Sequence, residues 1–355
     1  MKTKKITKQF KKMLILTGIY LVFAALVSIS VISIINNSIV AHTTDSSILK
    51  STNDTNNAST STETKTTKDA VSGTKLTNIP EDSVNISFSN DEKYCVYLYN
   101  NEIFIKDIAT DTIINKISDN ASIANFILMN DRNIIIYFTI KDLSLNLRTF
   151  NIDNNTEILQ KTINISSDTT IKQFDYSSLL NQIIINTESG KGGNLVSIVY
   201  RIDLLKGLHV LGIKSVINRM VFLNNTFSIY YEDKNNNLYC YPDPITGFEK
   251  KKIHLLGRDS NDDVFIQSLD NKNIVYVLKN KKIDKTINLS DPAYEEIYTN
   301  KIGVYLIYSN YILNLAGDIN NKITFEKNLK FVGIGGNKIF FRDSNKNIIW
   351  ENSGI

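Results

Sequence analysis

"SFSNDEKYCVYLYNNEIFIKDIATDTI", residues 87–113, holds two short apolar runs, a polar turn ahead of each, and an Asp-x-x-Thr-Asp close. Whether this stretch occurs once or recurs decides the fold. It recurs. "DIATD" at Asp107 aligns with "DNNTE" at Asp153, "DLLKG" at Asp203 and "DPITG" at Asp243. A weaker "NLAGD" begins at Asn314, and "ENSGI" follows at Glu351. The first spacings are 46, 50 and 40 residues, and the 71 from Asp243 to Asn314 make two units with one close missing. The period is therefore about 40 residues, the mark of a repeat architecture.

A second series of strands keeps the same beat: Tyr94–Tyr99, Ile134–Phe138, Ile183–Asn186, Phe227–Tyr231, Ile274–Leu278, Val304–Tyr308 and Ile339–Phe341. Several are apolar at consecutive positions, as in "IIIYF" and "VYLIY". Consecutive apolar residues on a strand bury both faces of its sheet. No stretch beyond residue 40 carries a helical apolar period, so the covering layers must be other sheets. Radially stacked four-stranded blades meet that requirement. The prediction is all-β, a propeller of seven four-stranded blades, with six or eight left open.

The stretch at 87–113 resembles a blade of the β-propeller superfamily, of the WD40, TolB or dipeptidyl-peptidase type. Those blades favour a serine-rich turn, an Asp-x-Lys step and an Asp-x-x-Thr-Gly close. The resemblance spans most of residues 84–355 at superfamily level only, because the Gly-His and Trp-Asp signatures of typical WD40 repeats are missing. The fifth unit, about 263–290, reads one strand short. The final unit, 329–351, shows only "LKFVGI", "KIFFR" and "NIIWE"; "GTKLTNI" at 73–79 is expected to supply its fourth strand and close the ring.

Ahead of this domain the texture differs. Residues 1–12 hold six lysines and no acid, and the next 23 residues, 13–35, carry no charge. At about 1.5 Å per residue that run crosses a bilayer core of roughly 30 Å. The basic flank predicts a single-pass, uncleaved signal anchor, with its N-terminus cytoplasmic and residues 36–355 outside the cell. The apolar core is too long for a cleaved signal, and no Cys follows it to serve as a lipid anchor. Residues 36–70 read as a flexible stalk, since 14 of the 26 residues in 43–68 are Ser or Thr. Residues 71–355 form the propeller domain.

The formal charge of +4 comes from the tail: without its six lysines, 34 basic residues face 36 acidic ones. That balance excludes the basic footprint of a nucleic-acid binder. Chemistry is sparse elsewhere. His42, His209 and His254 have no neighbour at metal-ligand spacing, so each is expected to be structural or solvated and no metal or cofactor is expected. Cys95 and Cys240 fall in blades one and four, too far apart to bond, and are expected to be buried thiols. "ESGKGGN" at 188–194 lacks phosphate-loop spacing and predicts a hairpin loop; "DKNNN" at 233–237 lacks the rest of a calcium loop and predicts a turn. The charged connection "RDSNDD" supplies the candidate partner-binding loop, Arg258, Asp259, Asp262 and Asp263, with a solvated loop as its plainer reading. No Gly-x-Ser-x-Gly elbow is present, and the peptidase-like resemblance carries no catalytic residue over.

The expectation is a stalked, non-enzymatic propeller that docks other envelope proteins in wall assembly, division or secretion. The alternatives are a channel enzyme of lyase or lactonase type, or a module whose exposed tyrosines bind wall glycan.

Overall fold

The computed structural model describes residues 75–190, 194–203, 207–213, 215–248, 251–317 and 322–353. The basic tail, the anchor and the stalk lie outside the described residues. The described chain forms seven antiparallel sheets, each built from strands consecutive in sequence. The first runs Val84–Phe88, Tyr94–Tyr99, Glu102–Asp107 and Thr112–Ser118, from the axis outward.

Burial explains why the sheets close into a ring. Seven core clusters occur, and each is shared by two neighbouring sheets. In Ile134–Lys141, Ile135 and Tyr137 pack with the first sheet while Ile136 and Phe138 pack with the third. In Val304–Ile307, Val304 and Leu306 face the fifth sheet, and Tyr305 and Ile307 the seventh. Consecutive apolar residues therefore serve opposite faces of one blade. The last cluster joins Phe340 and Ile348 of the seventh sheet to Phe88, Cys95 and Tyr97 of the first. The chain is a seven-bladed β-propeller.

Blades one, two, three, five and six have four strands. Blade four shows three among the described residues, Ile217–Phe222, Ile229–Asp233 and Leu238–Tyr241. Blade five is not short. Its inner strand is Ile253–Arg258, and Ile274–Lys279 is its third strand, not its second. A bulge between Leu255 and Gly257 breaks the alternation there and hid the strand in the sequence. The missing close of blade five has a cause too: Lys279 and Lys282 pair across the two-residue turn Asn280–Lys281, both at positive φ. Where the close is present it is a turn device, with Thr110 N–H and hydroxyl both donating to Asp107 Oδ1, at 2.8 and 2.9 Å.

The ring closes on the N-terminal segment, though among the described residues by a single bridge at Leu76 and not by a fourth strand. Leu76 is fully buried and exchanges both backbone hydrogen bonds with Ile348, at 2.8 and 2.9 Å. Around it Lys106 donates to the Thr77 carbonyl at 2.7 Å, and Arg342 to the Ile79 carbonyl at 3.0 Å. Blade seven approaches blade one so closely that a Cβ at Gly335 would lie 2.5 Å from the Phe88 Cβ. Phe88 in turn stacks on Phe340 with ring centroids 3.6 Å apart.

One turn carries a cost. Asp142 and Leu143 join Lys141 to Ser144 with φ of 47° and 61°, the geometry of a two-residue primed turn that favours Asn and Gly. Leu143 is exposed, so its side chain offers little packing to offset the left-handed backbone. Leu143→Asn is expected to stabilise the protein by about 0.5–1 kcal/mol, read as a higher urea midpoint. A lower midpoint would show that the leucine packs against something.

Candidate functional site

All seven inner strands run in the same sense around the axis and line a channel with a cavity of about 520 Å³. Their C-terminal ends, and the turns leading to the second strands, share one face of the disc. Four of these turns are built on a polar residue at or just past the end of the inner strand: Ser89, Ser177, Asp259 and Asn300. Ser89 Oγ accepts the Lys93 and Tyr94 N–H groups at 3.1 and 2.9 Å and donates to Asp91 at 2.7 Å. This is the serine-rich turn and Asp-x-Lys step of the opening stretch.

In blade five Asp259 takes that place. Its Oδ1 accepts the Asn261 and Asp263 N–H groups at 2.9 and 3.0 Å. The candidate loop is thus the inner turn of blade five, and its charges are directed inward. Arg258 and Asp259 are both 5 % exposed. Asp262 binds the Asn224 and Asn225 N–H groups of blade four, each at 2.7 Å, and Arg258 at 3.1 Å. Asp263 stands among Asp259, Asp284 and Asp262, and burial together with those charges raises its carboxyl above the ordinary value. Four residues grouped in sequence therefore split between a turn, a brace to the next blade and the channel wall.

Across the same face lies a contact no local pattern shows. Lys301, in the inner turn of blade six, spans the channel to blade three. Its ammonium sits 2.7 Å from Asp175 Oδ1, donates to the Tyr176 carbonyl and lies 4.2 Å over the Tyr176 ring. Burial pushes the Lys301 ammonium down, with Asp175 opposing that shift and Arg258 adding to it.

Behind the channel wall stands a second group. Glu232 is fully buried and accepts four hydrogen bonds: Asn218 at 2.9 Å, Asn236 at 2.7 Å, the Leu255 N–H at 2.8 Å and His254 Nδ1 at 3.2 Å. Burial alone would raise its carboxyl, but the His254, Leu255 and Asn218 bonds hold it below the ordinary value. His254 Nε2 lies 3.1 Å from Arg219 Nη1. A guanidinium can only donate, so Nε2 is the acceptor and the ring proton sits on Nδ1. Both ring nitrogens are thereby engaged, and the histidine holds Arg219 instead of serving a nucleophile. His254 is structural, as its sequence context implied, but its partners Glu232 and Arg219 come from another blade.

The thiols are buried and free, as expected. Burial pushes both up, Cys240 to about 11, which suits packing more than reactivity. The strands flanking 190–195 pair Ser189 with Val196, so that segment joins a hairpin. In the turn at 233–237 Asp233 accepts the Asn235 and Asn237 N–H groups, both at 2.9 Å, leaving an ordinary Asx turn.

A separate cavity of about 280 Å³ opens between blades two and three. Its floor is apolar, from Met129, Ile134, Ile136 and Ile183, and its edge is polar. Gln182 in its wall donates to Asp203 at 3.2 Å, while its Oε1 is buried with no donor. Two strongly exposed aliphatics border it: Ile158 at 56 %, and Leu179 at 65 % between the lining residues Ser178 and Asn181. Nothing in the sequence marked this groove, because its parts come from three connections and several strands in two blades.

No family model matches this chain, and no curated protein matches it. Among solved structures, Hsv2 of Kluyveromyces lactis is similar over 76 % of this chain and 90 % of its own, at 10 % identity and a TM-score of 0.47. A Dos1 propeller is similar over 76 % and 78 %, at 11 % identity and a TM-score of 0.49. The blade count here rests on the chain's own sheets and interblade clusters.

Proposed function

We propose that the protein is a non-catalytic docking module, held at the outer face of the cell membrane by residues 13–35 and spaced from it by residues 36–70. The observation that carries this reading is the groove between blades two and three. At about 280 Å³ it is smaller than the roughly 300–1,000 Å³ of pockets that enclose whole small ligands. It suits one or two apolar side chains of a larger partner. The buried Gln182 Oε1 lacks a donor, and the backbone N–H of an extended segment supplies one. The partner is therefore another envelope protein that offers a short extended apolar segment. Tethering both proteins to one membrane raises their effective concentration, so a modest groove is sufficient. Among the described residues no histidine lines the channel, and His254 behind its wall has both nitrogens engaged, which favours docking over the lyase or lactonase alternative.

The test uses crosslinking in cells, followed by affinity capture of the full chain. One or two membrane or wall-assembly proteins are expected, and the double variant Ile158→Asp, Leu179→Asp is expected to lose them at least tenfold. Both side chains are exposed, so melting should shift little, within about 0.5 kcal/mol. An unchanged set of partners, or turnover of a peptide or glycan by the purified protein, would sink the reading.

A further inference from the structure

Two cations on the disc face that carries the inner turns keep donors unused. Arg258 uses Nε on the Phe222 carbonyl at 2.7 Å, and Nη1 on the Asp259 carbonyl and Asp262, each at 3.1 Å. Its Nη2 is buried and meets no acceptor. Leaving a buried polar atom unpaired is unfavourable, and more so on a charged group, so such atoms are uncommon in folded proteins. Here the residue lines a cavity. Lys301 lines the same cavity and uses two of its three N–H bonds, on Asp175 and on the Tyr176 carbonyl. The carboxylates that contact these two cations are already engaged, whereas Asp263 Oδ1 in the same turn is buried without a donor. Asp262 holds Asn224, Asn225 and Arg258; Asp175 holds Lys301 and the Tyr176 N–H at 2.7 Å.

We propose that this end of the channel binds a small oxyanion, a carboxylate or phosphate, between Arg258 Nη2 and the Lys301 ammonium. The cavity, about 520 Å³, falls within the roughly 300–1,000 Å³ typical of small-ligand sites. A guanidinium edge and an ammonium together offer convergent charged donors, which bind oxygen anions more strongly than neutral donors do. The site is separate from the groove between blades two and three and does not depend on it.

Calorimetric titration of the full-length protein with inorganic phosphate and with acetate, against chloride at matched ionic strength, tests the assignment. One-to-one binding of at least one of the two is expected; phosphate alone assigns a phosphorylated ligand, and acetate alone a carboxylate. Lys301→Met and Arg258→Lys should each weaken binding at least tenfold, with melting curves confirming the fold. Lys116→Gln, which removes an exposed cation on an outer strand, should leave it unchanged. If Arg258→Lys does not fold, the Lys301 variant decides. No binding of either anion overturns the proposal, and so does binding that survives Lys301→Met or falls equally with Lys116→Gln.

Discussion

A chain that begins at Pro80 is expected to melt roughly 10 °C or more below one that begins at Val71, at about 2–4 °C per kcal/mol for a domain of this size. The segment between those starts contains Leu76 and Ile79, both buried in the cluster shared by blades seven and one. Burying one such side chain contributes about 1.5–3 kcal/mol. Two backbone hydrogen bonds to Ile348 are lost with them, worth about 1 kcal/mol each. Lys106, only 3 % exposed, loses the Thr77 carbonyl and keeps Asp111 at 2.7 Å as its counterion. Asp111 loses both of its Thr77 donors. The strand Ile348–Asn352 loses its bridge at Ile348, which adds a tendency to pair with other chains. Scanning calorimetry decides the matter, and equal melting temperatures would show that the ring closes without residues 76–79.

Glu232 is the most sensitive single position. Glu232→Ala is expected to cost about 3–5 kcal/mol, because it removes the only carboxylate from a buried set of donors. Asn218, Asn236, His254 and the Leu255 N–H would all lose their acceptor, and Arg219 its counter-charge. Glu232→Gln should be nearly as harmful. Two donors face each carboxylate oxygen, so an amide NH₂ meets donors in either orientation. The pH dependence follows from the depressed carboxyl. A group held below its ordinary 4.5 in the fold contributes stability fully above that value and loses it as pH falls through the folded value. Native protein should therefore weaken below about pH 4.5, and the Gln variant should lack that component. Urea melts of both variants between pH 3 and 7 measure it, and a loss under about 1 kcal/mol for Glu232→Ala would refute the role.

How much of this was legible in the sequence depends on the range of each interaction. Turn chemistry was legible, since Ser89 with Asp91 and Asp107 with Thr110 act within two or three residues. Blade count was legible because each strand carries its own two-sided burial, as Ile135 and Ile136 do. Where a local irregularity intervened, the reading slipped. The bulge at Leu255–Gly257 and the two-residue turn Asn280–Lys281 together displaced the register of blade five by one strand.

By itself the chain's pattern determined an all-β repeat of seven units, closed by a segment from its N-terminal side, with Cys95 and Cys240 buried apart. The tertiary structure alone decided which polar groups meet. Lys301 reaches Asp175 across 126 positions of sequence, and Glu232 binds His254 from the neighbouring blade. It also turned the loop at 258–263 inward and opened a groove lined from two blades. The reason is physical. Alternation and turn preference are written into neighbouring residues, whereas a ring brings together residues whose separation depends on how every intervening blade packs.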